Sequence, residues 1–181
     1  MSEKRLVVGG GCFWCIEAIF LKVKGVLSAV SAYTGGKRAN PTYEQICTGV
    51  SGHAEVVDIS YDSEIITLNE LLDIFFTIHN PTTLNQQGAD KGTQYRSVIY
   101  YDTNTEQEII LAKINELQKN YNEKIVTEIS KLQIVYKAEG YHQNYYNLNK
   151  NQGYCQAVIA PKVEKFMQHF TDKLRPKRED C

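Results

Sequence analysis

Cys12 follows three glycines, Gly9-Gly10-Gly11, and precedes Phe13-Trp14-Cys15. An apolar, β-branched run, Leu6-Val7-Val8, comes before the glycines, and helix-compatible residues with apolar positions at Phe13, Ile16, Phe20 and Val23 come after them. A cysteine where a strand turns into a helix start lies beside unpaired N–H groups and the positive end of the helix dipole. Both favour the thiolate, the nucleophilic form, over the thiol. Three glycines add nothing to a core, so they serve the turn or a close approach to the backbone. Phe13 and Trp14, the only tryptophan, stand within reach of that sulfur, where their rings can hold an apolar substrate group.

Glu55, in Gly52-His53-Ala54-Glu55-Val56-Val57, is the candidate acid. On a strand, alternation puts it on the face of Val57, Ile59 and Tyr61, where desolvation raises a carboxyl pKa and lets it hold a proton near neutral pH. A frayed, solvated strand end is the alternative. Tyr43 in Asn40-Pro41-Thr42-Tyr43 and Tyr95 in the run Gly88 to Arg96 are hydroxyl donors on polar loops, able to stabilise a polar oxygen near the thiol. His53 is an alternative partner for Cys12, as a hydrolase base. Cys12 and Cys15 form a Cys-x-x-Cys pair, which also admits a thioredoxin-like dithiol exchanger, although its Phe-Trp spacer and preceding glycines differ from that pattern. A zinc site needs about four ligands and no second such pair is present. The run Tyr141-His142-Gln143-Asn144-Tyr145-Tyr146 either lines the same cleft or lies on the surface.

The elements that position these residues alternate in type. Val26 to Thr34 and His53 to Tyr61 read as strands, as do Ser97 to Tyr101 and Leu132 to Tyr136. Thr67 with Glu70 is a capping-box pattern opening a helix with apolar Leu68, Leu71, Leu72, Phe75 and Ile78, and Asn80-Pro81 stops it. A second helix, Glu106 to Tyr121, is expected behind Thr105, and a last one after Pro161 with Val163, Phe166, Met167, Phe170 and Leu174 on one stripe. The long segments Gly35 to Gly52, with a helical turn at Tyr43 to Cys47, and Pro81 to Arg96 lack periodicity and are expected to be functional loops. The interleaving predicts a two-layer α/β sandwich with a mixed or antiparallel sheet.

A chain of 181 residues, 43% hydrophobic and 23% charged, suits one globular catalytic domain, 1–181, with a mobile C-terminal tail from about residue 175. A net charge of −1 offers no field for nucleic acid, and no apolar run is long enough to span a bilayer. The N-terminus does not resemble a signal peptide, so a cytoplasmic protein is expected, and a monomer. In that compartment five cysteines suggest free or redox-active thiols rather than a disulfide framework.

Gly11-Cys12-Phe13-Trp14, Asn40-Pro41-Thr42-Tyr43, Gly52-His53-Ala54-Glu55, Gly92-Thr93-Gln94-Tyr95-Arg96-Ser97, Tyr141-His142-Gln143 and Gly153-Tyr154-Cys155 occur here in the order and approximate spacing of the peptide-methionine (S)-S-oxide reductases. The chain resembles that family, methionine sulfoxide reductase type A, over roughly residues 5 to 170. The resemblance implies a ferredoxin-like sandwich and no bound cofactor. It implies that Cys12 attacks the sulfoxide sulfur while Glu55, assisted by Tyr43 and Tyr95, protonates the oxygen. Phe13 and Trp14 would hold the methyl group, with Asp90 and His142 among the substrate-binding residues. A sulfenic acid on Cys12 would then form a disulfide with a resolving thiol and be recycled by thioredoxin, or by dithiothreitol in vitro. Cys155 matches a family recycling position and is expected first as the resolving thiol, then Cys181, then Cys15. Cys47 is expected to be a buried helical cysteine.

Overall fold

A computed structural model describes residues 2–176. Eight strands and six α-helices follow the chain in the order β1 (Glu3–Gly9), α1 (Phe13–Phe20), β2 (Val26–Thr34), α2 (Tyr43–Cys47), β3 (Ala54–Asp62), α3 (Leu68–Ile78), β4 (Gln86–Gln87), β5 (Asp90–Lys91), β6 (Val98–Tyr101), α4 (Asn104–Gln118), β7 (Glu128–Lys131), β8 (Tyr136–Lys137), α5 (Tyr145–Leu148) and α6 (Ala160–His169). The main sheet runs β7-β6-β1-β3-β2-β8. Within it β1, α1, β2, β3, α3 and β6 form a βαββαβ unit with strand order β6-β1-β3-β2, which is the ferredoxin-like arrangement. All neighbours pair antiparallel except β6 with β7, which is parallel, so the sheet is mixed.

Alternation along the strands decides which face the helices cover. Leu6, Val8, Val57, Ile59 and Tyr61 join one large core with Phe13, Ile16, Phe20, Leu72, Phe75 and Phe166 from the helices. Helix α3 opens with the expected capping box at Thr67 and Glu70 and buries residues on more than one side. Val7, Ala32, Val56, Val98 and Tyr100 point to the other face, against half-buried Leu132 and Val135.

Several boundaries differ from expectation for local reasons. Of the expected strand Leu132 to Tyr136 only Tyr136 lies in one, as the first residue of β8; Leu132 and Val135 cover the second face of the sheet as irregular chain, and the strand before them is Glu128–Lys131, a half-exposed edge paired to β6. Helix α4 starts earlier because Thr103, not Thr105, caps it by accepting from the Glu106 N–H. Met167 is turned to solvent, while Val163 and Phe166 of the same helix are buried. The chain is tied down as far as Arg175, whose N–H donates to the Lys22 carbonyl at 2.8 Å. The rest of the expected tail, including Cys181, lies outside the described residues. No helix among the described residues is long and apolar enough to cross a membrane.

Candidate active site

Antiparallel pairing brings the chemistry together. The register Val8 to Val57 sets the end of β1 against the start of β3, so the turn after β1, which carries Cys12, meets Glu55, the second residue of β3. On the other side of β3, Tyr33 at the end of β2 is the direct partner of Glu55. The two long loops leave from this same edge and are bonded to each other: Thr93 Oγ1 donates to the Gly49 carbonyl at 2.7 Å, and the Arg96 guanidinium donates to the Gly52 carbonyl at 2.9 Å. The Gly11 N–H donates to the Tyr95 carbonyl, which locks the second loop to the Cys12 turn.

The glycines allow that turn to be this close. A Cβ on Gly10 would lie 2.7 Å from the His79 ring, and Gly11 has φ +86° with Gln87 against it. His79 is buried, with its ring nitrogens 2.6 Å from the Phe75 carbonyl and 2.7 Å from Ser97 Oγ, and burial lowers its pKa to about 4. It stays neutral and acts as a wall behind the turn.

Cys12 is the N-cap residue of α1, as expected, but only 7% of it is exposed. Burial, the hydrogen bond to Cys15 and the Glu55 carboxyl together push the Cys12 thiol well up, while the Trp14 N–H opposes them. The expected thiolate at rest is therefore corrected, because desolvation at this depth outweighs the dipole of a helix start. Cys15 is the lowered member of the pair, chiefly through that same hydrogen bond.

Glu55 is 1% exposed. Its Oε1 accepts one long bond, 3.3 Å from the Phe13 N–H, and its buried Oε2 has no hydrogen-bond partner. Burial raises its pKa to about 8, against the pull of the Phe13 N–H, and Asp90 and Cys15 add to the rise. The solvated alternative is excluded. At neutral pH Glu55 is a carboxylic acid with a proton to give and nothing bonded to its second oxygen.

Tyr43 and Tyr95 lie close enough to Glu55 to feel its charge. Burial pushes Tyr43 and Tyr95 well above the ordinary phenol range, and the Glu55 charge adds to both shifts. Phe13 is fully buried, with its ring 5.6 Å from Tyr33 and 5.1 Å from His142. Trp14 is half-buried, stacked on Tyr145 at 3.8 Å, and its Nε1 donates to His142 Nδ1 at 3.0 Å. That bond leaves the proton of a neutral His142 on Nε2, which is buried and unpartnered. Asp90 accepts from the Tyr154 hydroxyl at 2.7 Å, and Tyr154 also hydrogen-bonds Cys15. Cys12, Phe13, Trp14, Tyr43, Glu55, Asp90, Tyr95 and His142 are thus linked around the turn after β1.

Other expectations fail for clear reasons. His53 is no base for Cys12: its Nδ1 accepts from the Gly36 N–H and its Nε2 donates to the Arg38 carbonyl, so it closes the first loop. Cys47 is exposed rather than buried, and bonds to the Tyr43 side chain. Cys155, expected first as the resolving thiol, is fully buried and opens a π-helical turn, Cys155–Ile159, that runs into α6. Sequence reading missed Tyr33 as a wall, held Tyr145 only as part of a run that lines the cleft or lies on the surface, and showed Tyr154 only inside Gly153-Tyr154-Cys155. The alternation of β2 was the available signal for Tyr33.

The profile of the family described as peptide methionine sulfoxide reductase matches residues 4–174, the whole of this site and its scaffold. The chain belongs to the peptide methionine sulfoxide reductase family. It is 57% identical over 176 residues to the peptide methionine sulfoxide reductase MsrA of a Nitratiruptor species, covering 97% of this chain and 100% of that one. Among solved structures it is similar to reduced Mxr1 from Saccharomyces cerevisiae, with a TM-score of 0.79 and 34% identity over 84% of this chain and 89% of that chain. Mxr1 in complex with Trx2 shares the fold, with a TM-score of 0.56 and 24% identity over 79% and 84% of the two chains. The reductase carries the thiol, acid and aromatic wall on the edge where β1 and β2 end and β3 begins.

Proposed function

We propose that this reductase acts on the S-diastereomer of methionine sulfoxide, free or in proteins, through a sulfenic acid on Cys12. The observation that carries the reading is the buried Glu55 with an unpartnered Oε2 beside the Cys12 turn, its pKa pushed up to about 8 by that burial. A sulfoxide oxygen is a strong acceptor, and Glu55 together with the hydroxyls of Tyr43 and Tyr95 supplies the donors it needs. As Glu55 gives its proton to the oxygen, the Cys12 sulfur bonds to the substrate sulfur and passes its own proton back to Glu55. The S–O bond and the new S–S bond then break as the hydroxyl transfers to the Cys12 sulfur, methionine leaves with the electron pair on its sulfur, and one thiol plus one sulfoxide have become one sulfenic acid plus one sulfide. Phe13 and Trp14 hold the methyl group, and Asp90 and His142 hold the polar remainder of the substrate.

The sulfenic acid then meets a second thiol, forming a disulfide and releasing water. The hydrogen bond between Cys12 and Cys15 favours Cys15 for this step, ahead of buried Cys155, which feels the charge of Cys15. We therefore place Cys15 before Cys155 as the resolving thiol. A thioredoxin-type dithiol completes the cycle, a partner supported by the complex of yeast Mxr1 with Trx2.

The test is single-turnover methionine formation from each diastereomer, with dithiothreitol for multiple turnovers. The S form is reduced, Cys12→Ser abolishes the reaction, and Cys15→Ser keeps the first turnover while losing the disulfide seen by mass spectrometry. Methionine formation by Cys12→Ser, or equal rates on both diastereomers, contradicts the reading.

A further inference from the structure

Resting on that reaction, we propose that Glu139 is a positioning residue that sets Tyr43 beside the Glu55 acid. The Glu139 carboxylate gathers three donors from three parts of the chain. Its Oε1 accepts from the Tyr33 hydroxyl at 3.1 Å; its Oε2 accepts from the Tyr43 N–H at 3.1 Å and the Tyr141 hydroxyl at 3.2 Å. Tyr33 is the cross-strand partner of Glu55, and Tyr43 is the first residue of α2. The carboxylate therefore ties the helix that carries a substrate-facing phenol to the strand that lies against the acid.

Helix α2 needs such a tie. It has five residues, on a loop between β2 and β3, and a helix this short is not stable by itself. Its capping box, Thr42 with Gln45, closes its first turn but fixes nothing about where the helix sits. Glu139 fixes that, because its partner is the backbone N–H of Tyr43 itself and not a side chain that can rotate away.

A carboxylate is the group that fits. It presents two oxygens with about four lone-pair sites and no hydrogen, and all three partners are donors. Burial pushes Glu139 up, but its own N–H, the Tyr43 N–H and the two phenols more than offset this and hold it below the usual carboxylate range. A glutamine here would turn an NH₂ toward either the Tyr43 N–H or a phenol and break one side of the tie. The Glu139 carboxylate bonds Tyr33, Tyr43 and Tyr141 and neither Cys12 nor Glu55, and of these partners Tyr43 carries the hydroxyl assigned to the sulfoxide oxygen, so its action on the chemistry passes through Tyr43.

That route makes the inference testable by a double-mutant cycle. Single-turnover rate and substrate affinity are measured for wild type, Glu139→Gln, Glu139→Asp, Tyr43→Phe and the double variant Glu139→Gln with Tyr43→Phe. Misplacing a group that meets the reacting oxygen costs up to about 100-fold, so Glu139→Gln slows the chemical step by about 10-fold to 100-fold with affinity little changed. Glu139→Asp, which keeps the charge, recovers part of the rate. In the Tyr43→Phe background Glu139→Gln has no further effect, because the hydroxyl it positions is gone. An equal slowing in both backgrounds, no slowing at all, or a loss confined to affinity overturns the inference. If Glu139→Gln does not fold, the same cycle with Glu139→Asp decides: its slowing must vanish in the Tyr43→Phe background. Wild-type protein inactive on both diastereomers overturns the reaction itself, whereas active wild type with a failed cycle overturns only the role of Glu139.

Discussion

His79 and Glu55 flank the same glycine turn, both nearly out of reach of water, and they have opposite fates. A Cβ on Gly10 would strike the His79 ring, and a Cβ on Gly9 would lie 2.6 Å from the Glu55 carbonyl. Both His79 nitrogens are paired, and Ser97 Oγ lies 2.8 Å from Thr127 Oγ1, so the histidine ends a closed network. Glu55 has one long bond and a bare oxygen. Burial drives both groups neutral, the histidine by lowering its pKa to about 4 and the acid by raising its pKa to about 8. Buried polar groups are normally satisfied, so burial alone does not mark the reactive group here; the missing partner does. The closed network holds the turn still, and the open one waits for an oxygen.

The largest effect that can break this comparison is on rate. A positioned acid contributes ~100-fold to 10,000-fold, so Glu55→Gln slows the first turnover by about that range. The wild-type rate falls as pH rises through about 8, where Glu55 loses its proton, and the variant lacks that limb. Stopped-flow or quenched-flow pH profiles decide it, and an unchanged profile would remove Glu55 from the acid role.

The apolar wall of the open region comes next. Trp14 is held by Tyr145 and His142, and deleting its ring removes contact with the substrate methyl group, worth ~1 to 3 kcal/mol for a group of that size. Trp14→Ala weakens binding of methyl sulfoxides by about that amount, measured by titration with a Cys12→Ser protein. Retained affinity would place the methyl pocket elsewhere.

On the closed side, His79→Leu leaves the Phe75 carbonyl and Ser97 hydroxyl short of a partner, at ~1 to 3 kcal/mol for each buried group left unsatisfied. Denaturant unfolding shows the loss, while the pH profile of the first turnover keeps its wild-type shape. A shifted profile would mean that His79 takes part in proton transfer.

The smallest effect separates the two groups by sign. Glu55 has a folded pKa above its unfolded value, so its contribution to stability is present below about 4.5 and is lost as pH rises to about 8. His79 has a folded pKa below its unfolded value, so its contribution is present above about 6.5 and is lost as pH falls to about 4. Between pH 4.5 and 6.5 the two slopes oppose each other, each at most ~1.4 kcal/mol per pH unit. Glu55→Gln leaves the His79 slope, with stability rising toward pH 6.5, and His79→Leu leaves the Glu55 slope, with stability falling toward pH 8. Parallel slopes in the two variants would contradict the assigned shifts.

Much of this was legible in the sequence where one residue's local pattern carries the information. The glycine turn before Cys12, the alternation around Glu55 and the capping box at Thr67 each follow from a few neighbouring residues. What was not legible depends on partners far along the chain. The thiol state of Cys12 rests on burial under residues from several elements, and the closure of His79 on Ser97 spans 18 positions. His53 looked reactive beside Glu55 because nothing local shows that its ring is spent on the Gly36 N–H and Arg38 carbonyl. Nothing in the polar residues before Cys155 shows that it opens a buried π-helical turn. Leu132 to Tyr136 has the composition of a strand, yet only Tyr136 enters one, β8, while Leu132 and Val135 cover a sheet face, a choice made by the pairing of β7 with β6.

The reaction turns on the proton of Glu55, and a carbon-13 NMR titration of its side-chain carboxyl in the reduced protein measures that proton directly, with Glu55→Gln assigning the resonance. A single protonation step with a midpoint near 8 is expected, leaving the carboxyl protonated at neutral pH. A midpoint near 4.5 would mean that Glu55 is a carboxylate in the resting enzyme, with no proton to give the sulfoxide oxygen.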